Sequence, residues 1–276
     1  MTYATVMVNL QLGRSNTNLL QIAGDLAERF GAGLIGVAAC QSMQIVYGDT
    51  YVSANLIEED RKEIDRQLAA AEAEFRAALR DRVSRLEWRS EVTVFSLSRY
   101  LARQAGSADL VVTGVDRDVS VLDMTRHADL GDLVMQVGRP VLIVPGVPAK
   151  AKFDRVLVGW KDTREARLAV VNALPFLAKA AHVTVVEIAA EEDLAETRAN
   201  LADIVDWLKH HRVGAEPMAA ASEGDDAYQL NAIAQKLEAD LVVAGAYGHS
   251  RLREWALGGV TRDLLLRADR CSLVSH

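Results

Sequence analysis

The chain has 276 residues, of which 50% are hydrophobic, 25% charged and 5% aromatic. At about 100–200 residues per domain this predicts two domains or one large one, each half able to bury a sizeable core, and it excludes a disordered, collagenous or disulfide-framework protein. Lys+Arg 31 against Asp+Glu 38 leaves a formal net charge of −7, so the whole molecule does not attract nucleic acid or an anionic membrane, and a phosphate-bearing ligand needs a local device.

In chain order the first half reads as strand 4–10, helix 16–30, strand 34–39, a long helix near 55–84, strand 87–95, helix 97–106, strand 109–113 and strand 140–144. The long helix is rich in charge, with apolar positions 57, 64, 68, 71, 75, 78 and 79 on one stripe. That is a solvated amphipathic helix, or a partner surface that includes the 41–60 segment. A polar, Pro-bearing linker, 146–152, follows.

The second half opens with strand 155–159, after which Thr163 can cap a helix with apolar positions 166, 169, 170, 173, 174 and 177. Pro175 is expected to kink or shorten that helix. Strand 183–189, helix 192–211, a weak strand near 214–220 and a helix carrying Leu230, Ile233, Ala234 and Leu237 come next. Strand 241–244, a helix from about 259 and strand 271–274 close the unit. Strands alternating with amphipathic helices imply parallel sheets covered on both faces. The expected fold is α/β, two tandem doubly wound domains over 1–147 and 153–276, each a mostly five-stranded parallel sheet.

The halves are copies. Ala-Asp-Leu-Val-Val-Thr-Gly at 108–114 returns as Ala-Asp-Leu-Val-Val-Ala-Gly at 239–245, an offset of 131 (245 − 114 = 131). Val6-Met7-Val8 corresponds to Val156-Leu157-Val158 at an offset of 150 (156 − 6 = 150), so the first half carries a surplus of 19 residues, expected at 41–60. A repeat of this length is a whole domain.

In an open parallel sheet a ligand binds beyond the carboxyl ends of the strands, where strand order reverses. After strand 241–244 come Gly245 and Gly248, then Gly258-Gly259 ahead of a helix, with Arg251, Arg253 and Arg262 nearby. Glycines admit close backbone approach, and free N–H groups at a helix start suit a phosphate. Taken alone, these are equally turn and cap glycines.

The Gly-x2-Gly-x9-Gly spacing of Gly245, Gly248 and Gly258 resembles the nucleotide-binding signature of the universal stress protein family, and the recurring element order extends the resemblance to both halves, as in tandem bacterial members. It implies an adenine nucleotide α-hydrolase-like fold, with Asp162 contacting adenosine, Ile188 lining the base pocket and Gly245, Gly248 and Gly258 holding phosphates through their N–H groups. Where the family has Ser or Thr this chain has Gly259, which keeps the N–H and loses the hydroxyl. Val260 and Thr261 match neighbouring family positions, Thr261 being the candidate replacement hydroxyl. The first half departs from the pattern: Gly114 remains, but Arg117, His127, Ala128 and Leu12 stand opposite Gly248, Gly258, Gly259 and Asp162. It reads as a degenerate copy serving as scaffold, the alternative being an anion site of its own on Arg117 and His127.

Other features are weaker. Cys40 and Cys271 match no metal or redox spacing and read as buried reduced thiols. His210-His211 ends a polar helix as a solvated cation, and His182 has no ligand partner at metal spacing. Trp160 and Trp255 either line the cleft or pack in the core. The chain contains no Walker loop. No secretory signature and no apolar run of about 18–20 residues occur, which makes the cytoplasm the expected address. The function these readings imply is a stress-response protein that binds ATP or another adenine nucleotide, with or without Mg2+, in its second domain, and acts as a sensor. Catalysis is not expected, because no carboxylate pair, Ser/His/Asp set or Mg2+ ligand cluster accompanies the glycines. The alternatives are a nucleotide-free tandem interaction module and a weak ATP hydrolase in which Asp162, His249 and Ser250 approach the phosphates. The resemblance further implies that the domains pair with pseudo-two-fold symmetry and that two chains form a homodimer, strands 140–144 and 271–275 being candidate edges. The protein partner is not named by the sequence.

Overall fold

Short apolar runs bounded by glycine become strands here, and the amphipathic stretches between them become the covering helices. In the computed structural model, residues 2–41, 54–115, 125–146, 152–246 and 270–276 are described. Two units result, Thr2–Gly146 and Val147–His276.

The first unit runs β1 (Thr5–Asn9), α1 (Thr17–Phe30), β2 (Gly33–Cys40), α2 (Ala54–Leu79), β3 (Leu86–Val92), α3 (Leu97–Gln104), β4 (Leu110–Gly114), α4 (Leu130–Val137) and β5 (Val141–Val144). All its strand pairs are parallel. β1 pairs with β2 from Thr5 opposite Gly33 and with β4 from Val6 opposite Leu110, while β3 lies outside β2 and β5 outside β4. The order is therefore β3-β2-β1-β4-β5, and it reverses between β1 and β4.

The second unit repeats the plan with β6 (Arg155–Gly159), α5 (Arg164–Leu177), β7 (His182–Ala189), α6 (Leu194–His210), β8 (Glu216–Ala221), α7 (Asp226–Lys236), β9 (Leu241–Gly245) and β10 (Cys271–Ser275). Its order is β10-β9-β6-β7-β8, again all parallel. The reversal falls between β6 and β9. Both units are α/β, as their alternating pattern predicts.

The repeat extends to side chains. In the first unit the Asp109 carboxylate accepts the backbone N–H groups of Ala4 and Thr5 at 2.8 and 3.0 Å. In the second, Asp240 accepts those of Asp154 and Arg155 at 3.0 and 3.2 Å. The Asp of each Ala-Asp-Leu-Val-Val run thus pins the entry of the central strand. Burial holds the Asp240 carboxyl above the usual range, opposed by those two N–H donors.

The surplus of the first half lies where the chain crosses from β2 to β3, over 41–85, against 190–215 between β7 and β8. Part of it lengthens α2, 26 residues against 17 in α6. Ile64, Ala71, Phe75 and Leu79 form the buried stripe of α2. Gly36 of β2 makes that packing fit, since a Cβ there would stand 2.9 Å from Phe75 and 2.8 Å from Trp88. Arg82, just past α2, ties the helix to α1 through Asp25 and Glu28 at 2.6 and 2.7 Å.

Two expectations need correction. α4 was not anticipated, yet Asp129 caps it by accepting the Asp132 N–H at 2.7 Å and Gly138 ends it with φ 58. Pro175 does not stop α5 at once: the proline has no N–H to give the Val171 carbonyl, and the helix runs two residues further to Leu177. Cys40 and Cys271 are free and fully buried, and burial pushes their thiols up to about 11 and about 12. Among the described residues no helix is long and apolar enough to cross a membrane.

Candidate functional site

The carboxyl ends of β6, β7 and β9 lie beside the reversal of strand order, the place where an open parallel sheet receives a ligand. Trp160 N–H donates to the Val186 carbonyl at 2.8 Å, which carries the β6–β7 pairing one residue beyond β6. The chain then turns through Lys161 and Asp162 into α5, and Thr163 caps that helix by accepting the Ala166 N–H at 3.2 Å. Asp162 is 67% exposed at its side chain and reaches Arg167 at 3.1 Å, itself 58% exposed. An ion pair this open contributes about 0–1 kcal/mol, so the carboxylate is available to a ligand.

Gly245 ends β9 against the same helix start. A Cβ there would come within 2.5 Å of the Ala166 nitrogen and 2.6 Å of the Glu165 carbonyl carbon. Backbone cannot yield as a side chain can, so the position accepts only glycine. Ile188, at the end of β7, is half-buried and packs against the cluster formed by Leu157, Val186, Leu230, Ala234 and Val242, on the face covered by α7. The structure therefore brings Asp162 and Gly245 to the first turn of α5 and sets Ile188 at the same edge on the α7 face. Gly248, Gly258, Gly259, Val260 and Thr261 lie outside the described residues, as do Trp255 and the neighbouring arginines.

Two buried polar atoms stand at this edge, one on Trp160, which the sequence offered for the cleft or the core, and one on Glu187, which the sequence reading missed. Trp160 is 6% exposed and its indole Nε1 has no hydrogen-bond partner among the described residues; the same holds for Glu187 Oε2 on β7. Burial raises the Glu187 carboxyl, with Lys161 opposing and Asp162 adding to the effect. The matching first-unit residues, at offsets of 150 (160 − 10 = 150) and 149 (182 − 33 = 149, set by the strand register), are Leu10 and Ala38. Exchange of apolar for polar residues between the copies is the signal that would have singled these two out.

The first unit treats its corresponding edge differently. Leu12, opposite Asp162, is 3% exposed. Side chains of α2 also reach this edge: Gln67 lies 3.4 Å from a Cβ built on Gly13, Glu74 accepts the Asn16 N–H at 2.9 Å, and Asp60 pairs with Arg126 at 3.2 Å. His127 and Ala128 are half-buried there, while Arg117 lies outside the described residues. Among the described residues no group of three or more His, Cys, Asp or Glu side chains is placed to hold a metal ion.

Two tandem doubly wound units, each with a reversal of strand order beside its central strand, define a class of α/β proteins. Within that class, residues 152–274 match the model of the Universal stress protein family. The whole chain resembles the structure of a universal stress protein from Archaeoglobus fulgidus DSM 4304, with a TM-score of 0.71 at 14% identity, covering 98% of this chain and 95% of that one. A functionally unknown protein from Pseudomonas aeruginosa PAO1 gives a TM-score of 0.63 at 14% identity, covering 99% of this chain and 92% of that one. A protein from Pseudomonas aeruginosa UCBPP-PA14 gives 0.64 at 15%, covering 99% and 93%. At such identity these likenesses speak for the fold alone. No curated protein matches the chain.

Proposed function

We propose that the second unit binds an adenine nucleotide, ATP first, at the carboxyl edge of β6, β7 and β9, and that the protein works as a nucleotide-dependent regulatory module. The observation that carries this reading is the opposite treatment of one position in two copies of one fold: Asp162 stands 67% exposed at the crevice, and Leu12 is buried at 3%. A carboxylate kept open beside a helix start is poised to accept hydrogen bonds from a ribose or base. In this reading Ile188 borders the base, and the backbone N–H groups of Gly245, Gly248, Gly258 and Gly259, with Val260 and Thr261, hold the phosphates. The first unit serves as scaffold. Two chains associate as a homodimer, and the protein works in the cytoplasm.

A nucleotide-free interaction module is the second reading, favoured by Gly245, whose identity is fully explained by packing on α5. Calorimetry on the full chain separates the two. Gly248→Arg, which copies the first unit's residue, should abolish ATP binding, a loss of about 100-fold or more in affinity. Asp162→Ala should weaken ATP and adenosine alike, by about fivefold to tenfold. ATP binding unchanged in Gly248→Arg removes the phosphate placement; loss confined to ATP in Asp162→Ala removes that residue from the nucleoside end. If native protein binds no adenine nucleotide, the module reading replaces this one.

A further inference from the structure

At the opposite, amino edge of the second sheet lies a groove of about 430 Å³, where β6, β7 and β8 begin. Its lining includes Arg155, Ala181, His182, Gly214, Glu216 and Leu237. A Cβ added to Gly214 would meet nothing within 4 Å. The slot stands open.

Strand registers fix what occupies this place in the first unit. Gly33 corresponds to His182, Ala4 to Asp154, and Arg85 to Gly214 at an offset of 129 (214 − 85 = 129). Arg85 fills the slot there. Its Cβ, Nε and Cζ lie 3.1, 3.2 and 3.4 Å from a Cβ built on Gly33, and its Nη2 donates to the Ala4 carbonyl at 3.0 Å. A second arginine stands alongside: Arg89 Nε donates to Glu87 Oε1 at 2.7 Å. The second unit retains the carboxylate as Glu216 and has Met218 in place of Arg89. Both of those arginines are gone and the acid remains, while His182 stands in place of Gly33 and Arg155 in place of Thr5. Arg155, the cation that lines the groove, spends its Nε on the Leu237 carbonyl at 2.7 Å.

We propose that this groove receives a guanidinium group from outside the chain, seated over Gly214 and paired with Glu216. A planar guanidinium matches both a narrow slot and a carboxylate, donating two parallel N–H bonds; a lysine ammonium, being a point charge, lacks that fit. In the first unit Arg85 lies over Gly33, the counterpart of His182, and gives its Nη2 to a backbone carbonyl, so that unit supplies its own guanidinium at this edge. The site lies at the other end of the strands from the nucleotide crevice and does not depend on it.

NMR of the isotopically labelled full chain tests the proposal, with L-arginine and with acetyl-Gly-Arg-Gly-amide as probes and acetyl-Gly-Lys-Gly-amide as control. Both arginine probes should shift amides at 182–184, 214–216 and 237–239 at millimolar concentration, with the lysine control weaker by about tenfold. Binding of the peptide about tenfold tighter than free arginine assigns the guanidinium to a polypeptide, and equal binding assigns it to a free small molecule. Gly214→Arg should remove the response by filling the slot from within. Glu216→Gln leaves the backbone untouched, should weaken binding by about fivefold, and decides the matter if the first variant does not fold. Absence of shifts at these amides up to about 20 mM probe, equal response to lysine, or full response in folded Gly214→Arg overturns it.

Discussion

Gly245 and Gly114 occupy the same place in the two copies, yet they do different jobs. At Gly245 an added methyl meets the backbone of α5 at 2.5 Å, whereas at Gly114 it meets only the end of the Gln11 side chain at 3.5 Å, ordinary contact. Gly245→Ala should therefore lose about 2–3 kcal/mol and lower the Tm by about 4 °C or more, while Gly114→Ala stays within about 1 kcal/mol. Thermal unfolding of the two variants checks this, and equal effects would remove the packing argument. The repeated glycine was legible in the sequence. Its asymmetric cost was not, because what decides it is the approach of Ala166 from 79 positions away (245 − 166 = 79). Glu187 was illegible for a related reason: a polar residue in a strand reads as solvent-facing until the helices that cover it are in place.

Among the elements, the central strand of each unit is held at its entry by a carboxylate belonging to another strand. Asp240→Ala would leave the Asp154 and Arg155 N–H groups without their acceptor, and should cost about 1–3 kcal/mol in urea unfolding, with Asp109→Ala behaving alike and Asp240→Asn milder. A cost below about 0.5 kcal/mol for both alanine variants would reduce the staple to decoration. Strand positions, the Thr163 cap and the stripe of α2 followed from period and capping chemistry. α4 did not, although its signals were present: Asp129, Leu133, Val134, Val137 and Gly138 make a capped amphipathic turn pair. At 8 residues it was too short to stand out from the segment between strands. The reach of α2 over the first unit's carboxyl edge was equally hidden, since Gln67 and Glu74 are the polar residues that periodicity assigns to water.

At the scale of the molecule, duplication lets one copy serve as an internal control for the other. The same strand order and register carry an open carboxylate at one crevice and a buried leucine at the other, and the reverse economy at the amino edge, where the first unit is filled and the second open. If the second unit takes ATP as proposed, amide hydrogen exchange with and without the nucleotide should slow at residues 160–166 and leave 10–17 unchanged, by about tenfold at saturation. Equal protection of both segments would mean that the copies share the ligand. The difference between the copies was legible at Leu12, because an apolar residue stands opposite an acid at an aligned position.

The outermost strand of each unit, β3 in the first and β8 in the second, bears on how the protein meets foreign strands. β3 alternates Glu87, Arg89 and Glu91 along its length, and β8 begins with Glu216 and Pro217. Charge on such a border repels a foreign strand, and proline withholds the amide that a ladder would need. At these two borders, then, an incoming strand meets charge or a missing donor where it would need a partner.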